Sequence, residues 1–93
     1  MKTIIVACAG GIATSATIAS KINRDLEDRG YGSKAKAKAI NIANLDMYMN
    51  TADIYVSIVP FEDGQYPIPT FNGIPFITGI GSDEVLEKII NVL

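Results

Sequence analysis

Residues 2–8 (KTIIVAC) place three branched apolar side chains, Ile4, Ile5 and Val6, in succession, and further along Ile18, Ile22 and Leu26 recur at i, i+4 and i+8. An apolar run without alternation is the pattern of a strand covered on both faces, and the second spacing is one face of an amphipathic helix. Between them stand Gly10, Gly11, Thr14 and Ser15, a glycine turn followed by hydroxyls placed to cap a helix. A strand that turns through glycines into a helix commits a chain to a parallel sheet with helices packed on its faces.

The rest of the chain repeats this alternation. Gly30 or Gly32 stops the first helix. Residues 33–40 alternate Lys and Ala (Lys34, Ala35, Lys36, Ala37, Lys38, Ala39), a period of two that suits an edge strand with one face buried and lysines guarding the other. Ile42, Leu45 and Met49 share one face of a short helix opened by Asn41 or Asn44. Residues 53–59 read as a third strand ended by Pro60. Residues 60–74, with Pro60, Pro67, Pro69, Gly64 and Gly73, read as a long structured loop, and loops of this length in small domains are mostly functional. The spacing predicts a fourth strand over 75–78. Gly79 and Gly81 then make a turn, Ser82 caps, and Val85, Leu86, Ile89, Ile90 and Leu93 form the apolar face of a closing helix. The fold class expected is α/β, a three-layer open sandwich around a four-stranded parallel sheet of order 2-1-3-4. With 93 residues, the expectation is a single domain spanning 1–93.

Composition removes several functions. The chain has no histidine and one cysteine, Cys8, which excludes Cys-His and Ser-His catalysis, an internal disulfide and a phosphohistidine carried by this chain itself. A net charge of −2 argues against a nucleic acid surface. The apolar run near the N-terminus is shorter than a secretory h-region, about 7 to 15 residues. No run approaches the roughly 18 residues of a membrane span, so the expectation is a cytoplasmic domain without direct membrane insertion. Charge is nonetheless uneven. Up to Leu45 there are seven basic and three acidic residues, and from Asp46 onward one basic and seven acidic. Such a split is either a steering field for a partner or ordinary solvated faces.

In an open parallel sheet the ligand site lies beyond the carboxyl ends of the strands. Cys8 ends the first strand there. The backbone N–H groups of Ala9, Gly10, Gly11, Ile12, Ala13, Thr14 and Ser15 form a candidate dianion cradle, because glycines let the backbone curl and a helix N-terminus attracts negative charge. The same field lowers a thiol pKa, making Cys8 a candidate thiolate nucleophile; the alternative is a small buried hydrophobe at a strand end. The loop has neither the Walker lysine nor G-x-G-x-x-G, so nucleotide readings are poor.

The segment CAGGIATS, residues 8–15, preceded by KTIIVA, resembles the phosphocysteine loop of enzyme IIB, the B component of the bacterial phosphoenolpyruvate-dependent sugar phosphotransferase system. The galactitol type is the nearest branch, through Cys8-x-x-x-x-Ala13-Thr14-Ser15 and a later Gly-x-Pro-Phe-x-x-Gly-x-Gly, here Gly73, Pro75, Phe76, Gly79 and Gly81. The resemblance implies a Rossmann-like or phosphatase-like phosphate loop after strand 1. It implies that Cys8 takes a phosphoryl group from a phosphohistidine of the IIA partner and passes it to a sugar or polyol bound by the membrane component IIC, which would hold the domain at the inner face of the membrane. No metal or cofactor is needed. The alternative is a low-molecular-weight tyrosine-phosphatase-like hydrolase, whose loop is Cys-x5-Arg-Ser. Here Thr14 stands where that family has arginine, and Asp63 is not followed by proline. A third reading is a small interaction domain in which Cys8 is structural. In-line transfer needs an apolar rim with charged periphery to exclude water. Ile12 and Phe61 are the candidate docking side chains, with Glu62 and Asp63 meeting basic groups on a partner; the alternative is that Ile12 packs under the loop and Phe61 caps the core.

Overall fold

A computed structural model describes residues 2–8, 12–58, 62, 64 and 66–93, with only the backbone described at Cys8, Ile12 and Ala13. Four parallel strands, β1 (Lys2–Cys8), β2 (Ala35–Asn41), β3 (Ile54–Ser57) and β4 (Thr70–Asn72), form one sheet of order β2-β1-β3-β4. Helices α1 (Ile12–Asp28), α2 (Leu45–Met49), α3 (Ile74–Thr78) and α4 (Ser82–Asn91) complete the layers, with a 3-10 turn over Ile42–Asn44 leading into α2. The expected α/β architecture and strand order are those found.

Strand parity divides the core. Ile4, Val6, Ile54 and Val56 point to one face, where they meet Ile18, Ile22 and Leu26 of α1, Phe76 of α3, and Leu86 and Ile89 of α4. Ile5, Ala7 and Tyr55 point to the other, under Leu45 and Ala52, with Tyr48, Tyr66 and Ile68 packed at the margin. The helical spacing read from Ile18, Ile22 and Leu26 is thus a single buried stripe. α1 ends in a Schellman motif: Gly30, at φ +84°, donates its N–H to the Glu27 carbonyl at 3.1 Å, and Tyr31 donates to Leu26 at 2.7 Å.

β2 is the edge strand its alternation predicts, with Ala35 and Ala37 buried and Lys36 and Lys38 exposed. The outward backbone groups of Ala37 at its centre are covered from α1. The Asn23 side chain accepts from the Ala37 N–H at 2.7 Å and donates to the Ala37 carbonyl at 3.0 Å, so one amide occupies the place of a neighbouring strand.

Several boundaries differ from expectation. Thr14 and Ser15 are not caps, because α1 already runs from Ile12. The third strand is shorter, Ile54–Ser57, and Val59 and Pro60 lie outside the described residues. The predicted strand over 75–78 is a helix, α3, and the fourth strand is Thr70–Asn72, inside the segment expected to be loop. The reason is local. Asn72 Oδ1 accepts from the Ile74 N–H at 3.0 Å, Pro75 sits in the first helical turn where its missing N–H costs nothing, and Gly79 at φ +79° closes the turn. Ser82 is the first residue of α4, and Gly81, at φ +78°, takes the capping position.

Candidate active site at the carboxyl edge of the sheet

The carboxyl ends of the strands form a row of small polar residues. Cys8 lies opposite Asn41 in the β1–β2 register, Ser57 lies beside Ala7, and Asn72 beside Ser57. Two of these residues shape the chain that leaves the sheet: Asn41 Oδ1 accepts from Ala43 N–H at 3.0 Å, and Asn72 does the same for Ile74. Neither Asn72 nor Ser57 was singled out from sequence, although a polar residue closing each apolar strand was a readable signal.

α1 begins directly above this row. Its first-turn N–H groups have no partners within the helix, and its first turn contains no acidic residue, so the fixed positive end of a 17-residue helix faces the row without a competing carboxylate. Of the sequence-predicted cradle, the structure places Thr14 exposed and Ser15 fully buried in the first turn of α1. The Cys8 thiol, Ala9, Gly10, Gly11 and the side chains of Ile12 and Ala13 lie outside the described residues. So do Phe61 and Asp63; Glu62 is exposed.

The second motif of the sequence converges on the same place. Gly73 is buried, and a Cβ there would lie 2.8 Å from Val56 Cγ1 and 3.1 Å from Ile58 Cγ2. Its N–H donates to the Ser57 carbonyl at 2.7 Å. This close approach sets α3 against the end of β3. Phe76 then anchors α3 in the core, and together with Ile77 it lines a shallow depression against Thr14 and Thr17 of α1. Beneath the sheet's other face, Tyr55 is fully buried with its ring edge-on to Tyr66, centroids 4.9 Å apart. Burial pushes its pKa above the ordinary 10.0, partly offset by the neighbouring Ser57 hydroxyl. No hydrogen bond of good geometry reaches its Oη. A wider depression, lined by Lys2, Tyr31, Asp53 and Ile90 among others, is at the amino end of the strands, where parallel sheets do not place their chemistry.

The chain is an α/β domain whose one cysteine closes the first strand and whose first helix begins four residues later. Residues 3–88 match the family PTS system, Lactose/Cellobiose specific IIB subunit, and the chain belongs to that family. It is 33% identical over 89 residues to the Escherichia coli (strain K12) protein named phosphotransferase enzyme IIB component SgcB, covering 96% of this chain and 94% of that one. It is 28% identical over 92 residues to the PTS system galactitol-specific EIIB component of the same strain, covering 99% and 96%. The solution structure of a cellobiose-specific phosphotransferase IIB component protein from Borrelia burgdorferi shares its fold at a TM-score of 0.63 and 20% identity, over 98% of this chain and 90% of that one. Membership makes the chain a sugar phosphotransferase-system component, of the kind that works with IIA and IIC partners. Among the described residues no helix is long and apolar enough to cross a membrane.

Proposed function

We propose that this protein is a phosphocysteine carrier: Cys8 accepts a phosphoryl group from a phosphohistidine on IIA and delivers it to a sugar or polyol hydroxyl bound by IIC. The observation that carries the reading is the position of Cys8 as the last residue of β1, beside the carboxylate-free N-terminus of α1. In the first step Sγ, as thiolate, bonds to phosphorus while the P–N bond to the donor imidazole breaks; the ring, protonated on its other nitrogen, leaves neutral. In the second, a substrate hydroxyl oxygen bonds to phosphorus, sulfur departs with the electron pair as thiolate, and the hydroxyl proton passes to the acceptor protein or to water. The N–H groups of residues 9–15, with the Thr14 hydroxyl, bind the phosphoryl oxygens in both steps, so catalysis is positioning and electrostatics.

A galactitol-like polyol is the proposed substrate, because relatives covering nearly the whole chain carry that specificity in their names. The domain works in the cytoplasm at the inner face of the membrane, held there by IIC. Ile12 and Phe61 are the proposed apolar contacts with a partner, and Glu62 and Asp63 the proposed partners of its basic groups.

Phosphorylation by the general phosphotransferase components and phospho-IIA, followed by mass spectrometry, tests the reading. One phosphate on Cys8, absent from Cys8→Ser, is expected, because serine keeps the size but not the ionisable thiol. Label persisting at wild-type level in Cys8→Ser, or turnover of an aryl phosphate by the wild type, would overturn it. Transport of a panel of sugars and polyols with the cognate IIC tests the substrate.

A further inference from the structure

The segment 73–81 does more than brace the sheet. Gly79 and Gly81 both hold left-handed conformations, yet a Cβ at either would meet nothing within 4 Å, so these glycines serve backbone direction and not space. What they direct is Ile80. Its N–H donates to Thr78 Oγ1 at 3.2 Å, and its side chain stands 80% exposed. Ile74 and Ile77 precede it at intervals of three and are 40% and 51% exposed, while Phe76 faces inward. The short helix α3 therefore holds Ile74 and Ile77 at the surface, and the turn between Gly79 and Gly81 holds Ile80 in water just beyond it. Singly exposed isoleucines are ordinary, but three at intervals of three along one short helix and the turn that follows it are not.

This stripe adjoins the candidate active site. Ile77 shares a depression with Thr14 and Thr17 of α1, and Thr17 also lines a second depression with Ala16, Ser20, Lys21 and Arg24. The surface thus runs from Ile77 beside the first turn of α1, through small residues, to two cations. Lys21 is held by Asp25 at 3.8 Å, whereas Arg24 is exposed and makes no ion pair among the described residues. Any protein that covers the end of β1 and the first turn of α1 also meets Ile77.

We propose that Ile74, Ile77 and Ile80, with Arg24 at the basic end, form the docking surface for the phosphohistidine-bearing donor protein. The inference rests on the phosphocysteine reading and names the partner of that site. Charge selects the donor over the acceptor. The donor arrives carrying the phosphoryl dianion and meets the positive N-terminal end of α1, with Arg24 further along the same helix, whereas the acceptor meets this chain after that charge has moved onto it. The donor surface is accordingly apolar at its centre with carboxylates at the side that meets Arg24.

Loading kinetics with purified phospho-IIA, read as phosphate on Cys8 against donor concentration, test the assignment. Ile77→Asp and Ile80→Asp are expected to lower the second-order loading constant about tenfold or more, with a near-normal rate at saturating donor. Arg24→Glu is expected to lower it several-fold and to flatten its salt dependence. Val92→Asp, at an exposed apolar site on the far end of α4, leaves loading unchanged. Ile80→Asp keeps the test valid if Ile77→Asp melts early, since Ile80 contributes little to the core. Wild-type loading in Ile80→Asp, an equal loss in Val92→Asp, or normal loading with slowed release to sugar overturns the proposal. Failure of the wild type to load at all counts instead against the phosphocysteine reading.

Discussion

On one face of the sheet, Ile4, Val6, Ile54 and Val56 lie under three helices, and the buried side chains that meet them are aliphatic apart from Phe76, with Tyr31 and Phe71 at the margin. On the other, Ile5, Ala7 and Tyr55 lie under one 3-10 turn, a five-residue helix and the segment 66–68, and three of the contributing residues are tyrosines. In the first layer the fully buried hydroxyl that α1 contributes, Ser15, is not without a partner. The second buries a phenol whose hydroxyl lacks a good hydrogen bond. Stability is therefore concentrated under the three helices, in the same layer that presents the N-terminus of α1 and the isoleucine stripe.

The sharpest way to break this comparison is to truncate both layers. Ile22→Ala, at a fully buried position in the middle of α1, is expected to cost about 3–4 kcal/mol in urea denaturation. Leu45→Ala, on α2 and 6% exposed, is expected to cost about 2 kcal/mol, because its thinner cover can relax into the space. Equal losses would show that the two layers are equally tight. The next largest effect is at Gly73. Gly73→Ala drives a methyl against Val56 and is expected to cost about 2 kcal/mol and to slow phosphate loading, since α3 must back away from the end of β3.

Tyr55→Phe has the smallest expected effect and separates the layers most cleanly. Removing a hydroxyl without a good partner leaves the melting temperature unchanged or raises stability by about 1 kcal/mol. The pH dependence also changes. With its pKa raised above 10.0 in the folded state, Tyr55 holds its proton more tightly there than in the unfolded chain. Its contribution is complete below that value and is lost as pH rises from it toward the folded pKa. Wild type is thus expected to lose stability over this interval faster than Tyr55→Phe; parallel curves would remove Tyr55 from the account.

Legibility in the sequence followed the same division. β1 carries an unbroken apolar run, the buried stripe Ile18, Ile22 and Leu26 and the Lys-Ala alternation of β2 are periodic over several repeats, and the architecture followed from them. α3 was misread because IPFIT is a five-residue apolar run, too short for period two and period 3.6 to be told apart. The true β4, Thr70–Asn72, is only three residues and is preceded by Pro69, so it left almost no pattern. The contact between Tyr55 and Tyr66 joins residues whose pairing no local pattern announces. At the site, Cys8 and its glycines were conspicuous as residue types. The isoleucine stripe was not, since exposure of Ile77 depends on a helix where a strand was expected, and that of Ile80 on the backbone direction of the turn after it.

The amide of Asn23 ties the fate of the sheet's margin to that of α1. While the helix is docked, Ala37 offers nothing to a second molecule, since both of its outward backbone groups are engaged. Once α1 lifts away, the same event that opens the aliphatic layer also frees a strand able to zip onto an identical strand of another copy. Heat inactivation of this protein is therefore expected to be second order in concentration, with lysine repulsion along β2 as the remaining brake.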